Sequence, residues 1–135
     1  MISMAITEIG AGWADVEFVF GGQSILAFFE HCPNDAFEDL IYSALRITYG
    51  NDAEVVFPNG PDRIYLLVEK IDETVCRLTL GECSEEIPVK EYVRAVLRMF
   101  DRYVFAHSAE EYAKEWRFPF PSANLEKLRE KYRAL

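Results

Sequence analysis

The chain has 135 residues, half of them hydrophobic, and carries 23 acidic against 14 basic side chains for a formal charge of −9. That length predicts one domain over residues 1–135 with a sizeable single core. The charge argues against a nucleic-acid partner, whose phosphates it would repel. No apolar run reaches the ~18 residues of a membrane helix.

Thr7, Glu8, Asp15 and Glu17 interrupt the N-terminal apolar stretch, and no basic segment precedes it, so no signal peptide is expected. Cys32, Cys76 and Cys83 form an odd set without a C-x-x-C pair. A disulfide framework is not expected, and a reducing cytoplasm is. Charge is uneven: residues 1–91 hold 17 acidic against 5 basic side chains, a balance of −12, and residues 92–135 hold 6 against 9, a balance of +3. Such a surface either attracts a basic partner or serves solubility alone.

In chain order, the first third predicts strands. "WADVEFVF" alternates, with Ala14, Val16, Phe18 and Phe20 on one face and Asp15 and Glu17 on the other. "GGQ" at 21–23 is a turn signal, and "SILAFFE" reads as the returning strand of a hairpin. Asp35 with Glu38 three residues later forms a variant capping box. The helix it opens carries Phe37, Leu40, Ile41, Ala44, Leu45 and Thr48 at helical spacing and stops at Gly50.

Strands return at "AEVVF", followed by the turn "PNGP". In "RIYLLVEKI", Ile64, Leu66 and Val68 share one face, and Tyr65 and Leu67 the other, which predicts a central strand. "DET" turns the chain into "VCRLTL", with Cys76, Leu78 and Leu80 inward. From Val89 to His107, an amphipathic stripe runs through Val93, Val96, Leu97, Phe100, Tyr103, Val104 and His107. Ser108 with Glu111 caps a short helix bearing Tyr112 and Trp116, and Ser122 is expected to cap a last one bearing Leu125, Leu128, Tyr132 and Leu135. The expected fold is α+β: a largely antiparallel sheet of about five to six strands, one inserted helix, and a C-terminal group of three helices.

Between the last two helices, "RFPFPS" places two aromatic–proline steps. Prolines cannot donate backbone hydrogen bonds and disfavour helix before them. With Tyr112 and Trp116 on one helix face, the segment reads as a packing corner rather than a ligand site.

Tyr112, Trp116, the Phe118–Pro121 step, Leu125 and Leu128 resemble the C-terminal part of small bacterial immunity-type proteins, the antidotes encoded beside polymorphic or contact-dependent toxins. "NDAFEDLIYSALRITYG", followed by a strand, a proline turn and "RIYLLVEK", is similar to their middle part. The resemblance implies tight binding to a toxin domain, with no catalytic residues and no cofactor.

No other constellation carries chemistry. His31 and Cys32 are adjacent and would point to opposite faces of a strand. His107 closes an apolar stripe. Cys76 and Cys83 have no zinc spacing, so no metal site is expected. Two histidines without a G-x-S-x-G elbow give no activated nucleophile, and the carboxylate pairs sit in turns and helix starts. Arg94, Arg98 and Arg102 form an i, i+4, i+8 stripe, read as a solvated face partly neutralised by Glu91 and Asp101.

The first expectation is a non-catalytic, cytoplasmic binding protein whose acidic sheet-and-turn surface occludes a basic toxin domain. The candidate contacts are Asp35, Glu38, Asp39, Asp72, Glu73, Glu82, Glu85 and Glu86. The alternative is an intracellular structural or adaptor domain, homodimeric through an uncovered sheet face. An enzyme is the third reading and would need a deep polar pocket.

Overall fold

A computed structural model describes residues 1–135. The elements are β1 (Ser3–Gly10), β2 (Trp13–Phe20), β3 (Gln23–Glu30), α1 (Ala36–Thr48), β4 (Ala53–Asn59), β5 (Asp62–Lys70), β6 (Val75–Leu80), β7 (Cys83–Pro88), α2 (Val89–Ala106), α3 (Ala109–Trp116) and α4 (Ser122–Ala134). The class is α+β, with four helices and seven antiparallel strands. They form two sheets, β1-β2-β3 and β4-β5-β6-β7, not the single sheet of five to six strands expected above.

Two strands account for the difference. β1 was hidden because its alternation breaks: the register with β2 shifts between Ile6 and Glu8, which carries Thr7 and Glu8 past one partner. β7, "CSEEIP", reads as a polar loop because it buries only Cys83 and Ile87. The division into two sheets follows from which edges pair, a long-range property that local periodicity does not carry. β5 does lie between β4 and β6. Its Tyr65 face is nevertheless open, with that ring 47% exposed.

Each hairpin is set by its turn. Gly21 (φ 59°) and Gly22 (φ 74°) both take the left-handed conformation that matches strand twist in a two-residue connection. Cys83 donates its thiol to the Phe20 carbonyl at 3.1 Å beside that turn, bringing the first sheet against β7.

The core lies between the inner sheet faces and the helices. Phe57 of β4 meets Phe29 of β3 at 4.8 Å and Phe18 of β2 at 5.6 Å between ring centroids, joining the two sheets. α1 packs on β4, α2 on β1, and α4 on both α1 and α2. Asp35 caps α1 by accepting from the Glu38 N–H at 3.3 Å, and Ser108 caps α3 by accepting from the Glu111 N–H at 3.0 Å.

The aromatic–proline segment is a packing corner. Tyr112 and Trp116 are fully buried, and Phe118 and Phe120 pack half-buried against the core. The Trp116 ring lies 4.7 Å from Phe37 and 5.7 Å from Phe29. Arg117, at φ 75°, takes the left-handed turn that ends α3.

Three expected details differ. Ser122 is the first residue of α4, with Pro121 at the cap position and no side-chain cap bond. His107 is exposed, paired with Glu111 and stacked on Tyr103 at 4.5 Å, because α2 ends there and its stripe leaves the core. Leu135 is 46% exposed beyond the last turn of α4. No helix is long and apolar enough to cross a membrane.

Candidate functional site: the outer face of the first sheet

Alternation in a strand sends every second side chain to the face away from the core. In β2 and β3 that face carries Trp13 opposite Glu30, Asp15 opposite Phe28, Glu17 opposite Leu26, and Val19 opposite Ser24. On the β1 side, Glu8 stands opposite Asp15 and Ala5 opposite Glu17. The result is an apolar strip laced with carboxylates.

The apolar members are unusually open. Leu26 is 60% exposed, Phe28 43% and Val19 36%. The Trp13 and Phe28 rings stack with centroids 4.9 Å apart and planes within 11°. Beside them lies a shallow cavity of about 350 Å³, bounded by Glu8, Gly10, Trp13, Asp15 and Phe28. An exposed ring stacked on a half-buried one, on a face that no helix covers, is the kind of pair that anchors protein interfaces.

Charge has one sign here. None of Glu8, Asp15, Glu17 and Glu30 takes part in an ion pair; Glu17 accepts only the Ser24 hydroxyl, at 3.0 Å. The whole segment 1–45 contains seven acidic residues and no lysine or arginine. A cationic side chain entering the cavity would lie against the stacked ring pair and the carboxylates of Glu8 and Asp15, and carboxylates hold ammonium or guanidinium groups.

The carboxylates singled out in the sequence fall in three other places. Asp35, Glu38 and Asp39 open α1. Asp35 accepts the Trp116 indole N–H at 2.9 Å, Glu38 accepts from Asn124, and Asp39 accepts from Asn34 at 3.0 Å. Burial pushes the Asp35 and Glu38 carboxyls above their usual range. Asp72 and Glu73 form the β5–β6 turn. There Asp72 accepts from the Thr74 N–H at 2.8 Å and the Val75 N–H at 2.9 Å, which holds its carboxyl below the usual value.

Glu82, Glu85 and Glu86 belong to β7 and the turn before it. Glu85 accepts from the Gly21 N–H, which lowers its pKa, and Glu86 pairs with Arg77 at 2.6 Å. Only Glu73 and Glu82 of the eight have no hydrogen-bond or ion-pair partner; the other six hold caps, turns or strands together. The structure brings Asp35, Glu38 and Asp39 together, but these three places do not converge.

Trp13, Val19, Leu26, Phe28, Glu8, Asp15, Glu17 and Glu30 were missed as site residues. Two signals pointed to them: the absence of any cation before Arg46, and the position of Trp13 in phase with Asp15 and Glu17. Elsewhere, no group of three or more His, Cys, Asp or Glu side chains is placed to hold a metal ion. Cys32 is exposed just past β3, whereas Cys76 and Cys83 are buried. Searches with the chain find no matching family model, no matching curated protein and no matching solved structure.

Proposed function

We propose that the chain is a non-catalytic binding protein of the immunity type, which neutralises a basic toxin domain in the cytoplasm. One observation carries this reading: the outer face of β1-β2-β3 presents stacked Trp13 and Phe28 with Leu26 and Val19, ringed by four carboxylates without ion pairs. The aromatics would supply affinity, and the carboxylates would steer and select a cationic partner. The contact surface proposed is therefore the first sheet, with the carboxylates of α1 and β7 adding to the long-range field.

A homodimer through the same face is the second reading, favoured by its exposed rings. Two copies would bury the unpaired carboxylates of one face against those of the other, and like charges at a buried contact oppose that pairing.

The test is site-specific photo-crosslinking in the native cells, with a photoreactive residue at Phe28 and a control at Tyr65 on the other sheet. The expected result is a basic protein captured from Phe28 and not from Tyr65. That protein arrests growth when expressed alone, and co-expression of the parent chain relieves the arrest, whereas a Trp13→Ala/Phe28→Ala variant does not. Capture of a second copy of the chain would select the homodimer. A captured protein that is harmless when expressed would remove the immunity reading.

A further inference from the structure

α2 carries the molecule's one run of unpaired cations. Arg94 is half-buried, Arg98 and Arg102 are exposed, and all three line a groove of about 240 Å³ between α2 and the start of β1. Neither Glu91 nor Asp101, expected to neutralise part of the stripe, forms an ion pair with it. Asp101 instead pairs with Arg129 of α4 at 2.7 Å, and Glu91, in the groove wall, makes no ion pair. None of the three guanidiniums has an ion-pair or hydrogen-bond partner, in a chain whose acidic residues outnumber its basic ones by nine. The floor between them is apolar, formed by Ile2, Met4 and Ala95.

The geometry has a second component. β1 is an outer strand of its sheet, hydrogen-bonded only to β2, and its first residues form the wall facing the arginines. An edge strand offers unpaired backbone donors and acceptors to an added strand. Successive arginines four residues apart rise by about 6 Å along the helix. Alternate side chains of an extended peptide repeat at about 6.6 Å. The two spacings match closely enough for three carboxylates to face three guanidiniums.

We propose that this groove binds an extended acidic peptide of a partner protein, laid along the free edge at the start of β1, with carboxylates on alternate residues paired to Arg94, Arg98 and Arg102 and the intervening residues turned to the opposite face. A phosphate backbone has a similar repeat, but the chain's net charge of −9 repels long polyanions and favours a short, partly apolar strand. The groove uses none of the residues of the acidic aromatic face, so this inference stands or falls apart from the function proposed above.

The test uses the intact protein and a fluorescein-labelled octapeptide of alternating valine and glutamate, with the valine–lysine octapeptide as control, by anisotropy at roughly 20 mM salt, where screening is weak. The expected result is saturable binding of the glutamate peptide alone. Its affinity should fall by at least about tenfold in Arg94→Gln/Arg98→Gln/Arg102→Gln and by a smaller factor in Arg98→Gln. Bound peptide should also slow hydrogen exchange at β1 amides that point away from β2. Absence of saturable binding overturns the proposal. So does equal affinity in a triple variant with unchanged circular dichroism. Tighter binding of an eight-nucleotide oligo-dT assigns the groove to nucleic acid, and binding without β1 protection reduces it to a point-charge site; either overturns the added strand.

Discussion

Trp116 donates its indole N–H to the Asp35 carboxylate at 2.9 Å, across 81 positions of sequence. The same oxygen accepts from the Glu38 N–H that begins α1. One acidic side chain therefore caps the first helix and ties down the end of the third.

Replacing Trp116 with alanine opens a cavity in the densest aromatic cluster and should cost roughly 3–5 kcal/mol. Trp116→Phe keeps most of the ring burial and leaves Asp35 only its backbone donors, so its loss should be smaller, about 2 kcal/mol. Urea unfolding midpoints of the three proteins check both values. A Trp116→Ala midpoint close to the parent's would contradict the packing-corner assignment.

Two carboxylates predict opposite pH effects. Burial raises the folded pKa of Asp35 above its usual 3.8, with repulsion from Asp39 adding to it and hydrogen bonds from Trp116 and Glu38 opposing it. A raised acid favours folding most below its unfolded pKa, and that contribution is lost as pH rises through the folded value. Asp35→Asn keeps a capping oxygen and removes the charge, so its stability relative to the parent should improve from about pH 3.5 to pH 7. Glu85 is lowered from 4.5, chiefly by the Gly21 N–H. Its contribution is present above its unfolded pKa and lost as pH falls through the folded one. Glu85→Gln should therefore match the parent in acid and be weaker at neutral pH. Denaturant titrations across this range measure both differences.

Ser43 is the one buried polar residue of the core, and its hydroxyl bonds the Leu40 carbonyl and the Tyr92 hydroxyl, each at 2.6 Å. Tyr92 is wholly enclosed, and burial lifts its phenol well above the ordinary value. Ser43→Ala strands that phenol and should cost about 1–3 kcal/mol. Ser43→Ala/Tyr92→Phe removes both partners and should be more stable than the sum of the single changes, a coupling that a double-mutant cycle reads directly.

The Tyr112 hydroxyl is buried without any partner. Removing an unsatisfied group recovers its desolvation cost, so Tyr112→Phe should raise stability by about 1 kcal/mol. A loss of that size in thermal or urea unfolding would mean the hydroxyl has a partner in solution.

Local chemistry made much of this fold legible. Asp35 and Ser108 announced their helices because a cap is a contact three residues long, and "WADVEFVF" and "VCRLTL" announced their buried faces by strict alternation. β1 and β7 escaped because a bulge and a polar edge erase that period. The aromatic face escaped for another reason: apolar side chains are assumed to be inside, and nothing local distinguishes exposed Leu26 and Phe28 from buried Ala27 and Phe29. The carboxylates chosen instead were conspicuous as pairs, and most pair because turns and helix starts need acceptors.

The thiols differ in reach. Burial pushes the Cys76 thiol up to about 11, and Cys83 is enclosed with its S–H directed at the Phe20 carbonyl, whereas Cys32 stands open just past β3. A native chain treated with a maleimide dye should therefore accept one label, four residues beyond Phe28, without any engineered cysteine. That makes the protein its own reporter: a fluorophore at Cys32 sits beside the strand that carries Phe28, and its anisotropy and quenching would register docking on the proposed face without altering one side chain of it.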